Sequence, residues 1–247
     1  MKKWWKKINR GLLLGAVLLI GLIGFIVFKE AQFQKEIPTI QDTAEAYIHD
    51  LLELNLSLEG ENLGKKLTEG QRAEKMAAMD RLIVDYMADG DGSKGSYHVY
   101  TAQQLRDNYE KTLEGKVQTI YRNLDFDIPE NRIQVTQEGG DYANVSIYLQ
   151  NVTVEGRGYL DQLFGGDYLK HSYDVEIYDK GIYEIVDGEE LEEDPIKSED
   201  AWYGCTYSGN VVLQMKRVDG EWRVTGAYCY TWMQSMQALD EKEGVKK

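Results

Sequence analysis

The sequence predicts an α+β protein: an N-terminal transmembrane helix followed by a cone of about three helices packed on a curved antiparallel sheet. Three observations lead there. Gly11 to Phe28, GLLLGAVLLIGLIGFIVF, holds 18 consecutive residues with no charged or polar side chain. Three later stretches repeat their apolar residues at steps of three and four. From Asn131 onward the apolar period drops to two, and the last paired strands meet at an Asp-Gly turn.

At ~1.5 Å per residue the apolar run spans roughly 27 Å as a helix, close to the hydrocarbon thickness of a bilayer. Lys2, Lys3, Lys6, Lys7 and Arg10 precede it with no acid, which predicts a cytoplasmic tail over 1–10 and everything from Lys29 outside. Trp4 and Trp5 suit the headgroup layer. A cleaved signal peptide is the rival reading, but its apolar core is usually ~7–15 residues with small residues at the cut. Ile26-Val27-Phe28-Lys29 provides no such site. The expected organisation is a tail over 1–10, an anchor over 11–28 and a juxtamembrane spacer over 29–37. An extracytoplasmic domain over 38–230 and a C-terminal tail over 231–247 complete it. Gly11 and Gly15 form a GxxxG pair that lets two membrane helices approach, making a homodimer a candidate assembly.

Residues 1–28 carry five basic residues and no acid. The outer 219 residues therefore keep 23 of the 28 Lys+Arg against all 42 Asp+Glu, a net of −19. Such a surface repels nucleic acid and anionic lipid headgroups, leaving basic proteins, cations and neutral ligands as partners. The short basic tail without a cleavage site looks bacterial, so the sequons at Asn55, Asn144 and Asn151 read as chance matches.

The first helix is expected over ~39–57, with Pro38 in its first turn and Ile40, Ala44, Tyr47, Ile48, Leu51, Leu52 and Asn55 at helical spacing. Thr68 and Gln71 have capping-box spacing and open a second helix. Its expected stripe is Ala73, Met76, Asp80, Ile83 and Met87, with Asp80 as a flaw. Asp89-Gly90-Asp91-Gly92-Ser93 reads as a turn: a calcium loop would need a ligand other than Ser93 at its fifth position and Glu in place of Tyr100 at its twelfth. Thr101 and Gln104 repeat the capping spacing, and Leu105, Tyr109, Leu113, Val117, Ile120 and Leu124 form a third stripe that Gly115 weakens.

Ile133 and Val135 then alternate with polar residues up to a turn at Glu138-Gly139-Gly140-Asp141. Val145, Ile147 and Leu149 share one face. Val152 and Val154 are out of phase with them, which predicts a bulge and a bent strand. Further strands are expected over Tyr173–Ile177 and Ile182–Val186. Asp219-Gly220 between two alternating runs predicts a hairpin, because both turn residues need positive φ. Pairing Val218 with Glu221 places Met215 opposite Val224, Leu213 opposite Gly226 and Asn210 opposite Cys229. Lys216 and Arg223 fall on the wetter face.

Three helices followed by a curved meander that closes on VVLQMKRVDGEWRV resemble the nuclear-transport-factor-two-like superfamily, also called cystatin-like cones. The resemblance covers residues 38–228. It implies a cone with a pocket at its wide end. Among single-span bacterial members it implies assembly components of conjugation machines or domains of cell-wall transpeptidases. Residues 155–170 and 187–209 exceed the usual strand connections. Enzymes of this superfamily, such as ketosteroid isomerases, place a carboxylate base in the cone. Asp125, Asp127 and Glu176 are the available acids, and their alternation with apolar neighbours predicts that they face solvent.

No catalytic, cofactor or metal motif is present. His49, His98 and His171 lack ligand spacing, and there is no nucleophile elbow or phosphate loop. Cys205 and Cys229 lie where disulfides are permitted and are either one staple or two thiols. Trp202, Tyr203 and Tyr207 are core aromatics or a partner surface. Asp187–Asp200 holds eight acids and one lysine, read as a solvated loop or a docking loop for a basic partner or cation. The sequence thus leads to a membrane-anchored binding or scaffold protein of a membrane complex, such as a secretion or conjugation apparatus. It is read as no enzyme and needs no cofactor. A small-molecule binder or enzyme using the cone, or a cell-wall factor, is the alternative.

Overall fold

The computed structural model describes residues 10–54, 56, 67–89, 101–114, 121–157 and 202–239. It divides into two units, Met1–Ile40 and Gln41–Lys247.

The first unit is helical throughout its described residues, as part of α1 (Arg10–Glu53). Leu14, Leu18, Ile20, Phe25 and Phe28 are each more than half exposed, Ile20 at 69%. A helix apolar all round with its side chains uncovered has the composition of a membrane span or of a face covered by other protein. Among the described residues it is the one helix long and apolar enough to cross a membrane. The spacer expected over 29–37 is not a break. The helix runs through it and through Pro38, which lies inside α1 rather than in a first turn. The ring forfeits one backbone hydrogen bond there, and the turns on either side carry the helix across.

In the second unit α1 continues to Glu53 and buries Ala44, Tyr47, Ile48, Leu51 and Leu52. Helix α2 (Glu69–Tyr86) starts on the expected box: the Thr68 hydroxyl accepts from the Gln71 N–H, and the Thr68 N–H donates to Gln71 Oε1 at 3.0 Å. Its buried stripe is displaced from the expected one. Met76, Met79 and Leu82 are buried while Ala73 is exposed. Asp80 lies beside the seam rather than in it, and Arg106 donates to its Oδ1 at 2.7 Å. Met76 and Met87 of the expected stripe are buried, and Met79 and Leu82, one residue before Asp80 and Ile83, complete the seam together with Lys75. Helix α3 (Ala102–Glu114) opens on a second box at Thr101–Gln104 and buries Leu105, Tyr109 and Leu113 as expected. Val117 and Ile120 lie outside the described residues, and Leu124 belongs to a strand.

The sheet is antiparallel: β1 (Tyr121–Asp125), β2 (Ile133–Gly139), β3 (Tyr142–Arg157), β4 (Trp202–Val218) and β5 (Glu221–Leu239). Strand order is β1-β3-β4-β5, and β2 also pairs with β3. A one-turn 3-10 helix, Glu130–Arg132, leads into β2. Strand β3 is long enough to offer β2 its first half and β1 its last residues along one edge, with β4 along the other.

The predicted bulge is present. The β3–β4 register slips between Leu149 and Val152, where Asn151 takes φ 56°. That slip returns Val152 and Val154 to the buried face with Val145, Ile147 and Leu149. The Asp219-Gly220 hairpin is also present, with φ of 51° and 92°. Val218 pairs with Glu221, Met215 with Val224 and Lys216 with Arg223. Beyond Met215 the expected register fails by one residue. Strand β5 carries an extra residue, Thr225, whose hydroxyl donates to the Gln214 carbonyl at 3.2 Å. Leu213 therefore opposes Ala227 and Val211 opposes Cys229. The slip keeps Val224, Ala227 and Cys229 all on the buried face.

Strand β5 also continues past residue 230, where the domain was expected to end. Residues 202–209 belong to β4, not to a long connection. The strands expected over 173–177 and 182–186 lie outside the described residues.

The helices meet the sheet at named points. Gln41 donates to the Ile133 carbonyl at 3.1 Å, and Arg223 donates to the Val84 carbonyl at 2.9 Å. Met87 forms a parallel bridge with Val224, and the Ala88 N–H donates to the Val224 carbonyl. Three helices thus cover one face of a sheet bent by bulges.

Candidate functional site

The space between helices and sheet is where chemistry would sit. Its polar groups are few. Among the described residues the buried polar or charged side chains, tyrosines and cysteines aside, are Lys75, Ser208 and Thr225, and no carboxylate is buried. Asp125 and Asp127 are exposed, as expected; Glu176 lies outside the described residues. A general base in this interior would have to come from another group.

Tyr47 sits on α1 with its ring fully buried, edge-on to Tyr86 at 6.1 Å between centroids. Its hydroxyl has no hydrogen-bond partner. Burial, with a smaller contribution from Cys229, pushes the phenol far above its ordinary range. Burial does the same to the Cys229 thiol. Cys205 is raised to about 11 by burial, opposed by a hydrogen bond from Tyr207. Burial thus disfavours the thiolate of either cysteine and the phenolate of Tyr47.

Among the described residues Ser208 is the other buried hydroxyl without a partner, on β4 at the register position of Trp232. Next to it the backbone closes tightly. A Cβ on Gly209 would lie 2.4 Å from the Tyr230 carbonyl oxygen and 2.7 Å from the Thr231 Cα, so only glycine fits.

The end of α1 is held by a buried cation. Lys75 of α2 donates to the Leu56 carbonyl at 2.9 Å and to the Leu54 carbonyl at 3.5 Å. Tyr109 of α3 donates to the same Leu54 oxygen at 2.9 Å. The carbonyls of Leu54 and Leu56, just past the end of α1, are thus satisfied by the other two helices. This motif was not legible in advance, since a lysine at a helix surface position is ordinarily solvated.

On the outer side of the same helix end, His49, Asp50 and Glu53 bring their ligating atoms within 4.8 Å of one another. The expectation that His49 lacks ligand spacing considered the three histidines together. It missed the carboxylates at i+1 and i+4. His98 and His171 lie outside the described residues.

The candidate disulfide is corrected. Cys205 and Cys229 are both free and buried. Cys229 opposes Val211, and Cys205 stands six residues further along β4, opposite Met236. That is roughly 20 Å along the strand, while a bridge needs Cα atoms within about 7 Å. The candidate partner surface is corrected in part: Tyr207 is fully buried and offers no surface. Trp202 and Tyr203 open β4, at the register positions of Leu239 and Ala238. Asp187–Asp200 lies outside the described residues.

No family model matches the chain, and no curated protein is similar to it. Among solved structures it is similar to a scytalone dehydratase-like protein from Novosphingobium aromaticivorans DSM 12444. Identity is 14% and the TM-score 0.38, over 84% of this chain and 89% of that one. It is also similar to a hexachlorocyclohexane dehydrochlorinase, LinA type 2, at 10% identity and TM-score 0.33, over 82% and 93%. The resemblance to the cone superfamily rests on the chain's own order of helices and strands. Both neighbours carry the names of enzymes.

Proposed function

We propose that the chain is a membrane-anchored binding or scaffold protein whose domain works outside the cytoplasm as a component of a membrane-associated complex, such as a secretion or conjugation apparatus. The observation that carries this reading is the contrast between the two units. The first presents an uncovered apolar helix with no soluble use. The second buries a core with no carboxylate among its described residues and with thiols and phenol held neutral. Residues 29–37 continue α1 as helix and span about 14 Å at ~1.5 Å per residue, which supports a domain that begins near the bilayer. The charge pattern, basic before the span and acidic after it, supports an outward-facing domain.

In-cell crosslinking of the full chain, followed by purification from membranes and identification of what is bound, tests the reading. A defined set of membrane proteins held by the full chain, and lost when residues 1–28 are removed, is expected. Full function restored by a freely secreted 29–247 fragment would overturn it.

One observation favours the alternative of a small-molecule binder or enzyme using the interior. The Tyr47 hydroxyl is buried without a partner, and a group in that state costs about 1–3 kcal/mol unless something occupies it. Native mass spectrometry of the wild-type protein and Tyr47→Phe separates the two. A bound small molecule lost in the variant supports the interior site, and identical ligand-free spectra support scaffolding.

A further inference from the structure

We propose that His49, Asp50 and Glu53, in the last turn of α1, form a binding site for a divalent transition-metal ion of the zinc type. The proposal is independent of the scaffold reading.

The donor set is one imidazole and two carboxylates, a combination suited to such ions. His49 Nδ1 lies 3.3 Å from Glu53 Oε1 and 3.7 Å from Asp50 Oδ1. Two donors about 2.0–2.1 Å from a shared tetrahedral centre are roughly 3.3–3.4 Å apart, so His49 and Glu53 already stand at the spacing an ion requires, and all three donors lie within 4.8 Å of one another. His49 and Glu53 are four residues apart on one helix face, the spacing at which paired helical ligands converge.

Two features outside the triad point the same way. The last turn of α1 holds no basic residue, yet carries two carboxylates at the end of a helix whose dipole is negative there. That placement is unfavourable for anions and favourable for a bound cation. Lys75 donates to the carbonyls of Leu54 and Leu56 from the buried side. Second, Asp50 is positioned from another element. Tyr86 of α2 donates its hydroxyl to Asp50 Oδ2 at 2.8 Å, leaving Oδ1 as the oxygen nearer His49. An outer donor that fixes a ligating carboxylate is the usual support of a metal ligand. The His49 ring also rests against Phe126 at 5.2 Å between centroids, which limits its orientations. Three protein ligands leave a fourth position for water or for a donor from a partner.

The test is calorimetric titration of ZnCl2 into the purified full chain in detergent, with CoCl2 absorption as a spectroscopic readout. One equivalent of Zn2+ is expected, with visible Co2+ bands of a four- or five-coordinate N/O site. His49→Ala and Glu53→Gln should each weaken binding at least about tenfold, and Tyr86→Phe about tenfold through Asp50. These side chains are about half exposed, so the ligand variants keep the fold, which circular dichroism checks. Glu30→Gln removes the same charge elsewhere on α1 and should leave binding unchanged. No stoichiometric uptake, or equal affinity in His49→Ala and Glu30→Gln, overturns the proposal.

Discussion

The ammonium of Lys75 lies 2.9 Å from the carbonyl oxygen of Leu56 in a place where only 3% of the residue reaches solvent. A buried charge is tolerated when its hydrogen bonds are made, and here it ties the end of α1 to α2 while Tyr109 of α3 shares the Leu54 oxygen. Lys75→Ala leaves those carbonyls short of a donor and removes the buried stem. A loss of about 2–3 kcal/mol follows, and in a domain of this size about 4–12 °C in melting temperature. Thermal unfolding followed by circular dichroism checks it; an unchanged midpoint would mean that the lysine is solvated instead.

Two glycines should respond to alanine with opposite signs. Gly209 stands where a Cβ meets the backbone of Tyr230 and Thr231, so Gly209→Ala must part β4 from β5 or shift its register. Overpacking of that kind costs about 1–3 kcal/mol or more. Gly70 lies in the first turn of α2 with nothing within 4 Å of its Cβ position. Gly70→Ala should stabilise by up to about 0.5–1 kcal/mol through helix propensity. Denaturant midpoints for the two variants should straddle the wild type.

The side of α2 that faces inward can be read by substitution. Met79→Ala removes a fully buried side chain and should cost about 2–5 kcal/mol. Asp80→Ala removes a half-exposed partner of Arg106, worth about 0–1 kcal/mol in water. Equal effects would return the seam to the stripe through Asp80.

That helix illustrates what the sequence could and could not supply. Capping boxes at Thr68 and Thr101, the Asp219-Gly220 turn and the phase change before Val152 are local events, and a local pattern is enough to read them. The α2 seam was misread because two stripes one residue apart compete, and only packing against other elements selects between them. The register beyond Met215 was misread because a bulge at Thr225 leaves no signature in an alternating run where Val224, Gly226 and Ala227 all suit a buried face. Pro38 is compatible with a helix start on local grounds, and only the long helix on both sides of it shows that it is interior. The Lys75 anchor and the His49 cluster depend on side chains meeting at the end of α1, which spacing alone shows only in part.

The thiols should behave as two inert, separate groups. Without reductant, denatured protein is expected to titrate as two thiols per chain, and native protein to react slowly, since both are buried. The alkaline limb of stability follows from the same burial. Cys205 keeps its proton to about 11 in the folded chain against an ordinary value of 9.0, and Tyr47 and Cys229 are raised as well. Between those values the unfolded chain binds fewer protons than the folded one, so stability falls as pH rises above about 9. Cys205→Ala should flatten part of that fall. A chain that yields no thiols until reduced would refute the separate placement of Cys205 and Cys229.

The anchor is open to a test that does not depend on any partner. Ile20 sits near the middle of the apolar run and is the most exposed of its side chains at 69%. An arginine at the centre of a membrane helix costs about 2.5–3.5 kcal/mol of insertion free energy on translocon-based scales. Ile20→Arg should therefore shift a measurable share of the chain out of the membrane pellet after alkaline carbonate extraction, while Ile20→Leu stays with the membranes. A second arginine at Leu18 should complete the release, since both charges would lie too deep for their side chains to reach the headgroups easily. If the doubly substituted chain still resisted carbonate, residues 11–28 could not be what holds it there. The apolar run would then have to serve within a protein assembly, because an uncovered helix of this composition has no stable place in water.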